Sequence, residues 1–132
     1  MKWKNEYSLG ISLLDAQHKQ LFRLSDQLDA DLEKGVRAGE VEEMLVHLGE
    51  YAARHFAMEE KYMEEVSYPG LDEQRKIHQY FISNFTGMYE NFQENGLTQE
   101  VVQSLRRDLT NWIRDHVTGI DQLFGVYCKN RE

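Results

Sequence analysis

Apolar residues recur at three- and four-residue spacing in four stretches of the chain, the period of an amphipathic helix. The first stripe is Leu14, Leu21, Leu28 and Leu32, with His18 and Ser25 in register. The second runs through Val41, Met44/Leu45, Leu48, Tyr51/Ala52, Tyr62/Met63 and Val66, interrupted by His55 and Glu59. The third is Leu71, Phe81, Phe85, Met88 and Phe92, with Gln74 and His78 between them. The fourth is Val102, Leu105, Leu109, Trp112/Ile113 and Ile120, broken by His116.

Short polar or glycine-bearing breaks separate the stripes: Gly35 to Gly39, Ser67-Tyr68-Pro69-Gly70, and Asn95-Gly96-Leu97-Thr98. Glycine there suits a helix C-cap, and Thr98 suits the N-cap that follows. Ser12-Leu13-Leu14-Asp15 has the spacing of a capping box. These signals predict helices over about 12–35, 40–66, 70–95 and 98–118, then a short C-terminal helical segment. Residues 1–11, with Trp3, Tyr7 and Ile11, read as an N-terminal arm packed on the helices. Four helices with short connections predict an all-α, antiparallel up-down-up-down four-helix bundle, one domain over residues 1–132.

Composition narrows the function. The chain has 132 residues, with 23 acidic side chains against 15 Lys+Arg and a formal net charge of -8. Such a balance argues against nucleic acid and against anionic membrane surfaces, which need clustered cations. No stretch approaches the roughly 18 apolar residues of a membrane span, and no basic-then-apolar leader opens the chain. The single cysteine, Cys128, permits no intrachain disulfide. The expectation is a soluble, cytoplasmic protein.

The candidate chemistry lies in the residues that interrupt the stripes. Each helix carries one such histidine: His18, His55, His78 and His116. Glu59 lies one turn after His55, and Gln74 one turn before His78. A lone histidine on an apolar stripe is ordinarily a hydrogen-bonded core residue. Here the four coincide. In an up-down bundle their four helix ends meet at one end, with His18, His78 and His55 about 8–17 Å from it at roughly 1.5 Å per residue. Four imidazoles and the carboxylates of Glu59 and Asp121 therefore converge in one layer. Buried, uncompensated carboxylates cost several kcal/mol each, and two divalent cations would resolve that cost. Imidazole with carboxylate suits Fe, Mn or Zn, and the lack of thiolates removes zinc-finger and iron–sulfur readings.

His116 and Asp121 are five residues apart, about 140° around a regular helix. For both to face the layer, a π-type turn or break is expected near Gly119. His47 lies off its stripe and reads as a surface residue. Cys128 is isolated and reads as incidental. Tyr62 and Phe81 fall near the histidine layer.

These residues resemble the hemerythrin family, in particular its single-domain bacterial members. The resemblance rests on Trp3, Gly10-Ile11 and Asp15-Ala16-Gln17-His18-Lys19-Gln20-Leu21-Phe22. It continues through His55-Phe56-Ala57-Met58-Glu59-Glu60, Tyr68-Pro69 and His78-Gln79-Tyr80-Phe81. It ends with Trp112-Ile113-Arg114-Asp115-His116-Val117 and Asp121, so it spans essentially the whole chain.

The resemblance implies a carboxylate-bridged non-haem centre of two Fe ions with an oxo or hydroxo bridge, binding O2 reversibly. One iron would take His18 and His55. The other would take the residues matching the family's three histidines, here Gln74, His78 and His116. Glu59 and Asp121 would bridge, O2 would bind at the iron with fewer histidines, and Trp112 and Ile113 would wall the O2 pocket. Carriage, storage, delivery to an oxygen-using enzyme, or sensing with a signalling partner protein would all fit.

Gln74 departs from the family pattern. A glutamine oxygen is a neutral and weaker donor than imidazole. The substitution implies a less firmly held second iron and opens a competing reading, a di-iron oxidase or peroxidase. A third is a bundle that no longer holds two metals.

Overall fold

A computed structural model of the chain describes residues 3–131, and every regular element in it is helical. A short 3-10 turn, Asn5–Tyr7, precedes three long helices: α1 (Ser12–Lys34), α2 (Ala38–Glu65) and α3 (Leu71–Asn95). The fourth rod is built in pieces. It starts with α4 (Gln99–Gln103) and a π turn (Ser104–Leu109). It continues through α5 (Thr110–Asp115), a second π turn (His116–Ile120) and α6 (Asp121–Arg131). Backbone angles stay right-handed helical at each junction, so the C-terminal segment is a continuation of the fourth rod rather than a separate helix. A π turn takes up one extra residue without breaking the hydrogen-bonded column.

Four helices packed into one bundle agree with the expected fold class. Cross-helix contacts run in opposite senses along neighbouring helices. His18 meets Asp121, Ser25 meets Thr110, and Asp29 meets Arg106 further along. Likewise His78 meets Glu60, while Tyr89 meets Glu42 at the far end.

The sequence signals at the helix ends act in two different ways. Gly35 takes the left-handed conformation (φ 81°, ψ 45°) that ends α1, a conformation glycine adopts without a side-chain clash. Thr98 caps the fourth rod by accepting the Val101 amide at 3.1 Å. The expected capping box at Ser12 does not form. Ile11 is the N-cap and has no side-chain cap bond. Asp15 reaches back into the arm instead, accepting from Ser8 Oγ at 2.6 Å and from the Leu9 amide at 2.7 Å. The arm is thereby tied to α1, and Trp3 and Tyr7 pack their rings on Phe22.

Two apolar clusters result. The larger runs the length of the bundle and includes Leu21, Leu28, Leu45, Leu48, Phe81, Leu105 and Ile113. The smaller sits at one end, from Leu9, Leu14, Met63 and Phe124. Between them, along every helix, lie the stripe positions that carry histidine and carboxylate. In the fourth rod Val101, four residues before Leu105, is the fully buried residue (2% exposed), and Val102 is only half-buried. No helix among the described residues is long and apolar enough to cross a membrane.

Candidate metal centre

Each helix delivers one imidazole to the same layer because His18, His55, His78 and His116 all occupy core-facing positions. All four are buried, and Glu59 and Asp121 are 0% exposed. The π turn His116–Ile120 lies where the five-residue spacing required one. It brings Asp121 Oδ1 to 3.2 Å from His116 Nε2.

The carboxylates stand between two pairs of rings. Glu59 Oε2 lies 3.1 Å from His18 Nε2 and 3.2 Å from His55 Nε2. Its other oxygen, Oε1, lies 3.0 Å from His78 Nε2 and 3.5 Å from His116 Nε2. Asp121 repeats the arrangement, with Oδ2 at 3.2 Å from His18 Nε2 and Oδ1 towards His116. Each carboxylate thus turns one oxygen to each side. Among the described residues, two groups have their ligand atoms close enough to share an ion. One is His18, His55, Glu59 and Asp121; the other is Glu59, His78 and His116, with Glu59 common to both.

The hydrogen bonds show that the layer fits cations. His55 Nδ1–H donates to Gln17 Oε1 at 2.8 Å, and His78 Nδ1–H donates to Glu60 Oε2 at 2.8 Å. With the ring proton at Nδ1, a neutral imidazole presents a lone pair at Nε2. Those lone pairs point at carboxylate oxygens, and His78 Nε2 also sits 3.2 Å from His116 Nε2. Electron pairs facing one another in a dry core are repulsive unless a proton or a cation stands between them. Asp121 Oδ2, His55 Nε2 and Gln74 Oε1 are buried without a well-directed hydrogen bond. Four imidazoles, two carboxylates and an amide oxygen form a donor set suited to divalent Fe, Mn or Zn.

Without cations the layer holds protons. Burial alone would lower His18, but hydrogen bonds to Asp121 and Glu59 and their negative charge hold it at about 9. Burial is likewise outweighed at His116, where the charge of Asp121 leads and the value is again about 9. For His55 burial prevails and the value falls. Burial would raise Glu59, yet hydrogen bonds from the surrounding histidines, those of His116 and His18 foremost, hold it well below the ordinary carboxylate range.

Gln74 is 1% exposed and belongs to the layer. Its Nε2 donates to Asp121 Oδ1 at 3.1 Å, and its Oε1 is the unpartnered end. Trp112 lies flat on His116, with centroids 4.7 Å apart and planes at 11°. It separates that ring from a cleft of about 290 Å³ lined also by Phe81, Phe85, Met88 and Leu109. Ile113 is buried in the larger apolar cluster and does not line the cleft. Tyr62 packs with the smaller end cluster. His47 is exposed, and Cys128 is half-buried.

Three residues touching the layer escaped sequence reasoning: Gln17, Glu60 and Phe56. Phe56 stacks on His78 at 4.1 Å and 12°. Each adjoins a ligand-type residue in sequence, on the helix flank turned towards a neighbour; that adjacency is the signal that could have found them.

A buried layer of imidazoles on four helices, strung along two straddling carboxylates, defines a cation-binding helical bundle. The pattern described as the Hemerythrin HHE cation binding domain matches residues 9–127, so the chain belongs to the hemerythrin family. It is 28% identical over 127 residues to a bacteriohemerythrin of Stenotrophomonas maltophilia, covering 96% of this chain and 80% of that one. Against a bacteriohemerythrin of Pseudomonas aeruginosa it is 29% identical over 119 residues (90% and 75%). Against one of Clostridium acetobutylicum it is 27% identical over 124 residues (91% and 95%). The family implies a non-haem di-iron site, and the buried histidine–carboxylate layer is compatible with it.

Proposed function

We propose that the chain is a non-haem di-iron protein that binds O2 reversibly, in carriage, storage, delivery or sensing. His18 and His55 would hold one iron, and His78 and His116 the other, with Gln74 Oε1 as its neutral third donor. Glu59 and Asp121 would bridge. The observation that carries this reading is the placement of the two carboxylates, each turning one oxygen to each histidine pair. An iron pair held there supplies the electrons for reversible O2 chemistry.

The protein's own part is positional. Gln17 and Glu60 fix two imidazoles with Nε2 free to ligate. Phe56 and Trp112 cover the faces of His78 and His116, and the two apolar clusters close the layer from above and below. Water exclusion of this kind protects a bound, reactive ligand from side reactions. Histidine outnumbers carboxylate four to two in the layer, whereas ferritin-like di-iron oxidases use more carboxylates and Glu-x-x-His pairs. The donor set therefore favours binding over oxidase or peroxidase turnover.

The deciding experiment measures iron per chain after anaerobic Fe(II) loading, then the optical spectrum with O2 and after its removal. Two irons and a band that appears and disappears with O2 are expected. One iron or none, or a band that forms once and does not reverse, would overturn the reading. Rapid turnover of peroxide with an electron donor would replace it with the enzymatic one.

A further inference from the structure

We infer that Glu60 is a positioning residue that sets, through His78, how firmly the second cation is held, and that it offsets the imidazole missing at Gln74. The inference rests on the two-cation reading above. Its ground is an asymmetry among the four rings. His55 Nδ1–H is met by a neutral amide oxygen, that of Gln17, at 2.8 Å. His18 Nδ1 and His116 Nδ1 are buried without a hydrogen-bond partner. His78 alone, of these four, gives its Nδ1–H to a carboxylate, Glu60 Oε2 at 2.8 Å.

A carboxylate on the far nitrogen draws that proton outward and makes the ligating nitrogen a stronger donor. This help falls on the side of the layer that needs it. The His18/His55 side has two rings and both carboxylates within reach of one ion. The His78/His116 side also has two rings, but its remaining position is Gln74, whose amide Nε2 is already given to Asp121. A neutral oxygen there is a poor substitute for imidazole, so His78 must carry more of the binding.

Glu60 is also built to stay in place. Its other oxygen lies 3.4 Å from Arg75 Nε, and Arg75 reaches Glu64 and Asp72 at 3.6 Å each. Its side chain is only 24% exposed. A solvated surface acid would not be held between a buried ring and a guanidinium in this way.

The test is a titration of the metal-free full chain with Co(II) under nitrogen, followed by calorimetry and by the visible cobalt bands. The wild type should take two ions, the second more weakly. Glu60→Gln should weaken the second step by roughly 10–100-fold and leave the first unchanged. Glu60→Asp should recover part of the loss. In a Gln74→His background, Glu60→Gln should cost less, because a third imidazole shares the load. Gln17→Ala should act on the other step.

If Glu60→Gln changes neither step, or weakens both equally while lowering the melting temperature of the metal-free protein, the inference is overturned alone. A wild type that takes fewer than two ions overturns the two-cation reading and this inference together.

Discussion

Two layers of this bundle use the same stripe positions on the same helices and do opposite things. Around Leu45 on α2, about 15 Å from His55 at the ordinary helical rise, the core is Leu28, Leu32, Val41, Leu105 and their neighbours. Around His55 it is Glu59, His18, His78, His116 and Asp121. Both layers are equally dry: Leu45 is 0% exposed and His55 1%. Helical period decides only that a side chain faces inward. Side-chain chemistry then decides whether that position stabilises the fold or burdens it. A fully buried leucine contributes about 1.5–3 kcal/mol, whereas an uncompensated buried carboxylate costs several. The apolar layers must therefore carry the fold so that the polar layer can be kept for cations.

The largest effect should come from Glu59→Gln. The amide has the carboxylate's shape but cannot bridge two cations as an anion. Cation stoichiometry should fall from two to one at most, with helical circular dichroism retained. Two ions bound as tightly as before would mean that Glu59 does not join the halves of the layer. Leu45→Ala tests the opposite layer and should cost roughly 2–5 kcal/mol in denaturant unfolding of the metal-free protein, leaving stoichiometry at two. If it also lost a cation, the division of labour between the layers would be wrong.

How much of this was legible depended on whether a rule of spacing could see it. The four histidines and Glu59 were visible because they break an otherwise regular apolar period. The π turn at His116–Ile120 was visible because His116 and Asp121 cannot share a face of a regular helix. The other π turn, Ser104–Leu109, left no such mark. Leu105 and Leu109 fit the ordinary period, and Val101 and Val102 both stand about one turn before Leu105, so spacing does not choose between them; the core takes Val101. Asp15 has the spacing of a local cap, but its partners are in the arm, where a contact between segments overrides a local motif. Gln17 and Glu60 leave no mark in the apolar period for a related reason. Their roles depend on how one helix is rotated against its neighbour, and sequence period does not encode rotation to that precision.

The polar layer should also give the metal-free protein a pH dependence that the apolar layer cannot. His18 and His116 are held at about 9 in the fold, above the ordinary value of 6.5. A raised folded value means that the fold binds protons more tightly than the unfolded chain. That stabilisation is fully present below about pH 6.5 and is lost as pH rises through about 9. Glu59, held low, has the opposite sign and withdraws its contribution as the solution is acidified. The melting temperature of the metal-free chain should therefore fall between pH 7 and pH 10. The fall should be weaker in the loaded protein, where cations replace those protons. A flat profile without metal would mean that the imidazoles are not stabilised as cations by the carboxylates.

The smallest effect concerns Gly119, the residue near which the break in the fourth rod was expected. Glycine there invites the explanation that only glycine can adopt the π turn. The geometry argues otherwise. A Cβ at Gly119 would meet nothing within 4 Å, and the residue does not occupy the left-handed region, unlike Gly35. The turn is then imposed by the burial of His116 and Asp121 on either side of it, not by the freedom of the residue between. Gly119→Ala should keep two cations and change stability by no more than about 1 kcal/mol, towards stabilisation, since alanine loses less backbone freedom on folding. Loss of the second cation in this variant would show that the turn needs the glycine itself. The register of Asp121 would then depend on a backbone device rather than on the pull of the buried layer.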